Sequence, residues 1–213
     1  MKRLIIILSS IFIALGLVCN TRVMAYQQTS STTIINYTVQ SGDSIWKICN
    51  KFQIGVPEVI ALNPQISNPN NIIPGNILKV PNIDAIKAIE NQVISLVNAE
   101  RSKIGLAALK ANWQLSRVAR FKAEDMRDKN YFSHTSPTYG SPFVMMKKFG
   151  ITFSAAGENI AMGQKTPSAV MTSWMNSPGH RQNILNVNYT EIGVGIAKSS
   201  SGSIYWVQQF IRR

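Results

Sequence analysis

The chain holds two cysteines, Cys19 and Cys49, and the first lies inside an apolar leader. Lys2 and Arg3 precede a run from Leu4 to Val18 that only Ser9, Ser10 and Gly16 interrupt, and Val23-Met24-Ala25 follows. A charged start, an apolar stretch and small or branched residues at its end make a secretory signal peptide over residues 1–25, cut after Ala25. The run is short for a membrane span, so no transmembrane segment is expected after cleavage. Val18 stands where a lipid-modified cysteine would need a small residue, so Cys19 is not expected to be an anchor. Cleavage then leaves Cys49 alone. An exported chain with one cysteine has no intrachain disulfide to staple it, and it must fold around hydrophobic cores.

The 213 residues suit one ordinary domain or two small ones, and 45% hydrophobic against 15% charged residues is enough for packed cores. The formal charge of +12 favours anionic partners such as nucleic acid, lipid or acidic wall polymers. The sequence contains no nucleic-acid motif. Together with the export signal, that leaves anionic wall polymers or lipid as the charged partners.

Residues 26–35 (YQQTSSTTII) are polar for most of their length and read as a flexible leader. Tyr37 to Val39 reads as a strand, and Gly42-Asp43-Ser44 as a turn and helix cap. Ile45, Ile48, Cys49 and Phe52 follow at helical spacing and put Cys49 in a core. Pro57 opens a second short helix that Asn63-Pro64 ends, and Ile77 to Val80 is a second strand. The result is a strand–helix–helix–strand unit over residues 36–82. Asn82 is placed to cap the next helix, so almost no linker separates this unit from residues 83–213. In that second part Ile86, Ile89, Val93, Leu96, Val97 and Glu100 share one helix face, with Gly105 as the stop. Leu115, Val118, Ala119, Ala123 and Met126 share another, on a helix ending near Asn130. Thr166-Pro167 starts a third helix, with Ala169, Val170, Trp174 and Met175 inward, and Ser177-Pro178 a short fourth holding His180. Alternation at Ile192, Val194 and Ile196, and again from Tyr205 to Ile211, marks two strands joined by a hairpin loop at Ser199–Ser203.

YTVQSGDSIWKIC (Tyr37 to Cys49), Asn63-Pro64 and IPGNILKVP (Ile73 to Pro81) together resemble a LysM domain along its whole length. The resemblance implies binding of peptidoglycan or another polymer containing N-acetylglucosamine. It places the sugar groove between Gly42, Asp43, Ser44 and Ile45 on one loop and Asn71, Ile72 and Ile73 on another. Backbone and amide hydrogen bonds beside an apolar wall suit an acetamido sugar. Gly42 and Asp43 also serve simply as turn and cap residues, and Trp46 is open to either a stacking or a structural role.

LVNAER (Leu96 to Arg101), YFSHTSP (Tyr131 to Pro137), GENIA (Gly157 to Ala161), WMNSPGHRQNIL (Trp174 to Leu185) and EIGVGIA (Glu191 to Ala197) resemble, in order, a bacterial CAP domain. This is the superfamily of cysteine-rich secretory proteins, antigen 5 and pathogenesis-related proteins. The fold expected is therefore α+β: a small βααβ LysM module followed by a three-layer α-β-α CAP sandwich. The resemblance carries His134, Glu158 and His180 into one cleft, with His134 after the second helix and Glu158 on a loop or strand edge. Ser177 stands near the place of the family's further glutamate. Two imidazoles and a carboxylate would offer zinc three ligands, with water as the fourth. The same residues also make a metal-free hydrogen-bonded network, and a histidine at a helix N-terminus is held neutral.

The sequence lacks a G-x-S-x-G elbow, a cysteine nucleophile in the second part and an H-E-x-x-H helix. The function expected is a secreted, wall-associated binding protein without catalysis, in the cell wall or a spore envelope. The alternative is a metal-assisted envelope hydrolase working through the His/Glu cleft.

Overall fold

A computed structural model describes residues 33–213. The leader with its cleavage point after Ala25 lies outside the described residues. Two sheets organise the chain. The smaller pairs β1 (Ile34–Thr38) antiparallel with β2 (Ile77–Pro81), with α1 (Ile45–Phe52) and α2 (Val56–Leu62) between them in sequence. β1 begins at Ile34, earlier than the strand start expected at Tyr37. Ile34 and Ile35 pair with Pro81 and Val80, so the end of the leader stretch is strand. Val39, Ile45, Ile48, Cys49, Ile54, Val59, Leu78 and Val80 fill this unit's core. Burial pushes the Cys49 thiol up to about 12, so it packs as an inert apolar group.

The larger sheet runs β3 (Lys110–Ala111), β5 (Glu191–Lys198), β6 (Ile204–Arg212), β4 (Ala155–Met162), with β3 parallel to β5 and the other pairs antiparallel. Helices cover both faces, as expected. On one face α3 (Asp84–Ser102), α6 (Pro167–Met175) and α7 (Pro178–Ile184) pack Val93, Val97, Val170, Trp174 and Ile184 against Ile192, Val194, Trp206 and Phe210. On the other, α4 (Trp113–Asp128) and α5 (Pro142–Lys148) pack Leu115, Val118, Ala119, Ala123, Met126 and Met145 against Ile160, Val207 and Ile211. β5 shows how the two layers differ in depth. Its bulky Ile192 and Val194 point to the α3 layer, while Gly193 and Gly195 point to α4 and let that helix backbone lie directly on the sheet.

Several helix details depart from the sequence reading. Asn82 accepts the Asp84 N–H at 3.0 Å, but the residue preceding α3 is Ile83, one position later than expected. The buried face of α3 includes Glu90 and Arg101, which an apolar pattern does not count. Met171, not Ala169, is buried in α6. The helix α5, opened by Ser141-Pro142 with Ser141 capping Val144, was not anticipated.

The two units share α3: Ile83 and Ile86 join the small core, and Val93, Ile94 and Val97 the large one. They are also bonded directly. The Arg117 guanidinium on α4 donates to both Glu58 carboxylate oxygens on α2, at 2.5 and 2.7 Å. A Cβ at Gly55 would overlap that guanidinium, which explains a residue without a side chain there. Next to it Arg120 donates to the Gln53 carbonyl at 3.3 Å and lies 3.0 Å from Glu90.

Burial pushes Glu90 up to about 7 against the opposing pull of Arg120 and Lys87, and burial pushes Glu124 up to about 7 as well. Both folded values exceed the unfolded one, so the stability these groups contribute is complete below about pH 4.5 and is lost as pH rises toward 7. Denaturant unfolding should therefore show greater stability near pH 5 than near pH 7, and Glu90→Gln should flatten that slope. A slope unchanged in Glu90→Gln would contradict the assignment.

Candidate functional site

The loop after α4 carries Tyr131-Phe132-Ser133-His134, and the neighbouring sheet edge is β4. Glu158 was expected on a loop or strand edge, and β4 is an edge strand. Gly157, Glu158 and Asn159 lie inside β4, where successive residues face opposite layers. Glu158 faces the α4 layer and sits directly across from Gln209 of β6. Asn159 faces the other layer and is fully buried. This alternation explains how one short strand serves both histidines.

His134 Nδ1 lies 2.9 Å from Glu158 Oε1, and the imidazole is half-exposed, with 51% of its side chain accessible against 1% for Glu158. A carboxylate that accepts this bond requires the proton on Nδ1, and Nε2 is the ring nitrogen that Glu158 does not engage. The second carboxylate oxygen takes a hydrogen bond from Gln209 Nε2 at 3.0 Å. Gln209 Oε1 is buried without a hydrogen-bond partner among the described residues.

His180 lies in the first turn of α7, as expected. Its carbonyl accepts Asn159 Nδ2 at 3.0 Å, and Asn183 Nδ2 donates to Asn159 Oδ1 at 2.8 Å. Burial lowers the His180 imidazole, and the nearby His134 lowers it further, so it is neutral at pH 7. The direction agrees with that expected for a histidine in the first turn of a helix, with desolvation as the leading cause. Thus His134 and Glu158 touch, while His180 is tied to the pair through Asn159 and through the field of His134.

The arrangement does not fit the zinc site considered from sequence. Among the described residues no three His, Cys, Asp or Glu side chains stand where they could hold a metal ion. Glu158 has both oxygens engaged, and His134 Nδ1 is spent on it.

Sequence reasoning missed the polar residues that hold the pair. Lys122 and Asp125 of α4 are buried, and so are Gln208 and Gln209 of β6. The double glutamine inside an otherwise apolar strand was the one visible signal.

In the small unit the two expected loops leave the same end of the β1–β2 ladder, where Val39 bonds the backbone of Gly75 and Asn76. The first loop is occupied with its own geometry. Asp43 accepts from Tyr37 Oη at 2.7 Å and from the Gln40 N–H at 2.8 Å, and these bonds hold its carboxyl below the usual range. Ser44 caps α1 through the Lys47 N–H, the Gly42 carbonyl accepts Lys47 Nζ, and Ile45 is in the core. The second loop borders a cavity of about 390 Å³ lined by Gln65, Ser67, Asn68, Asn71, Ile72 and Asn76 among others. None of Gly42, Asp43, Ser44 or Ile45 lines it. Ile73 stands out beside the second loop at 58% exposed, and Trp46 on α1 is also exposed.

Among the described residues no helix is long and apolar enough to cross a membrane. The family model described as "Cysteine-rich secretory protein family" matches residues 94–210, and the LysM domain model matches residues 37–81. The uncharacterized protein YkwD of Bacillus subtilis is 61% identical over 127 residues, 60% of this chain and 48% of that protein. SpoIVD-associated factor A of the same species is 53% identical over 45 residues, 21% of this chain and 12% of that protein. An extracellular protein of Bacillus anthracis containing an SCP domain has a solved structure that superposes with a TM-score of 0.57 and 34% identity, over 66% of this chain and 47% of that one. In each case the match spans less than half of the relative's own length.

Proposed function

Since this chain belongs to the cysteine-rich secretory protein family and carries a LysM domain ahead of the family domain, we propose that it is an exported binding protein of the bacterial envelope. The LysM domain holds peptidoglycan or another N-acetylglucosamine polymer, and the His134–Glu158–His180 cleft presents a ligand-binding surface without catalysis. The observation that carries this reading is an amide-lined cavity at the second LysM loop with the exposed Ile73 beside it. Asn71 and the Nδ2 groups of Asn68 and Asn76, whose Oδ1 atoms accept loop N–H groups, are polar partners for acetamido groups, and Ile72 in the lining with the exposed Ile73 next to it is an apolar wall for the methyl. The first loop, Gly42 to Ile45, does not line this cavity and bears on it only by holding the turn at the same end of the ladder.

The net charge adds attraction to anionic wall polymers, and the sugar contacts supply the part that salt does not screen. The site of action is the cell wall or a spore envelope, which fractionation of growing and sporulating cells separates.

Incubation of the secreted chain with purified peptidoglycan, followed by assays of pelleting and of released fragments, tests both halves. Pelleting without release, surviving moderate salt, is the expected result. Ile73→Asp should weaken pelleting about tenfold, as loss of roughly 1.4 kcal/mol of apolar contact implies. Lys79→Gln should leave it unchanged. A chain that stays in the supernatant would sink the anchoring reading. Soluble fragments would favour the hydrolase alternative, with the His134 and His180 imidazoles as its candidate bases.

A further inference from the structure

The side chain of Lys122 is wholly buried on α4, at 0% exposure, and nothing in the binding reading requires it. An ammonium loses its hydration on burial and is retained only where its donors are met. Lys122 Nζ has three donors, and the structure supplies three acceptors: Ser133 O at 2.7 Å, His134 O at 2.9 Å and Tyr131 Oη at 3.1 Å. All three belong to the loop that carries His134, and Nζ also lies 4.9 Å from the centre of the Tyr131 ring.

One turn further along α4, Asp125 holds the same loop from its other sign of charge. It accepts from Tyr131 Oη and Ser136 Oγ, each at 2.6 Å, and from Thr138 Oγ1 at 2.5 Å. Burial would raise Asp125, but these bonds and Lys129 hold its carboxyl below the usual range. Burial lowers Lys122, with Glu158 and Asp125 pulling it back toward charge. A helix thus grips an eight-residue loop by one cation and one anion, and the cation bonds the carbonyl of the working histidine itself.

We propose that Lys122 is the positioning residue of the His134–Glu158 pair: its ammonium, caged by Tyr131 and the Ser133 and His134 carbonyls, fixes the loop so that Nδ1 faces the carboxylate and Nε2 is left to the ligand. The inference rests on taking His134 and Glu158 as the working pair of the cleft. Asp125 completes the grip without contacting His134.

Imidazole nitrogen NMR on the full secreted chain tests it with no ligand present. The wild type should show His134 in one tautomer, protonated at Nδ1. Lys122→Met keeps the apolar stem and removes the charge. It should melt cooperatively and show a mixture of His134 tautomers, with a smaller change at His180 than at His134. Tyr131→Phe, which removes one of the three acceptors, should loosen the lock to a smaller extent. An unchanged His134 spectrum in Lys122→Met overturns the proposal. Should that variant not fold, couplings across the hydrogen bonds from Lys122 Nζ to the Ser133 and His134 carbonyls, measured in the wild type, decide it; their absence is fatal. Peptidoglycan pelleting is a separate measurement, so failure of the anchoring reading and failure of this one are told apart.

Discussion

Gly195→Ala should cost about 3 to 5 kcal/mol and lower the melting temperature by roughly 10 °C or more. A Cβ there would overlap the backbone of Ala119 and Arg120 in α4. Backbone in a helix packed on a sheet cannot rotate aside as the end of a long side chain can, so the whole α4 layer would have to lift. Gly193 meets Leu115 and Ser116 in the same way, one pleat earlier. Lifting α4 would also carry Lys122 away from the His134 loop, so the cleft should lose order before the sheet does. The control is Gly202→Ala in the β5–β6 hairpin. That residue has φ of 82° with no heavy atom near the added methyl, and the cost should be limited to about 1 to 2 kcal/mol of backbone strain. Thermal melts of the two variants should differ several-fold in their shift. A Gly195→Ala protein that melts within two or so degrees of wild type would contradict the close approach.

Arg117→Ala should be the next most damaging change, at about 3 kcal/mol. It leaves the buried Glu58 carboxylate with the Gly55 N–H as its remaining hydrogen bond across 3.1 Å. Breaking a buried pair by removing one partner costs more than the pair itself contributes, because the other charge stays desolvated. Calorimetry should also show the transition broadening or splitting, as the small unit melts free of the large one. In a cycle with Glu58→Gln the coupling should reach about 1 to 3 kcal/mol. A coupling near zero would mean that the two units merely touch.

Much of this architecture is legible in the sequence because periodicity reports burial. Leu115, Val118, Ala119, Ala123 and Met126 are all fully buried, and β5 and β6 fall where alternation puts them. His134 and Glu158 meet as the motif resemblance implies. What periodicity misses is buried charge. Arg101 gives its guanidinium to the Ala107, Ile184 and Asn186 carbonyls, and Lys122, Glu90 and Arg120 lie under the surface as well. A scan for apolar residues assigns each of these to solvent. The cations among them are met mostly by loop carbonyls and Glu90 by Arg120, pairings that a linear pattern does not record. The LysM loop shows that a motif and a free side chain are different things. Gly42 to Ile45 carry the motif, yet Gly42 makes the turn through its backbone and the side chains of Asp43, Ser44 and Ile45 serve the turn, the cap and the core. The helix α5 was missed although Ser141-Pro142 carries the same start signal as Thr166-Pro167, because its apolar stretch is too short to show a period.

Chain length at the junction is fixed by angle. β2 ends at Pro81 and α3 begins at Asp84, and the Glu58–Arg117 pair must close on the far side of that hinge point. A residue inserted there and taken up as helix would turn the small unit by about 100° and push it about 1.5 Å along the axis. Glu58 would then point away from α4 altogether. Two or three insertions would sweep it through most of a circle, and about seven, two full turns, would bring the bearing back but some 10 Å too far out. The short junction therefore works as a keyed coupling: it sets the compass direction in which the His134 cleft looks from the small unit, and no gradual lengthening preserves it.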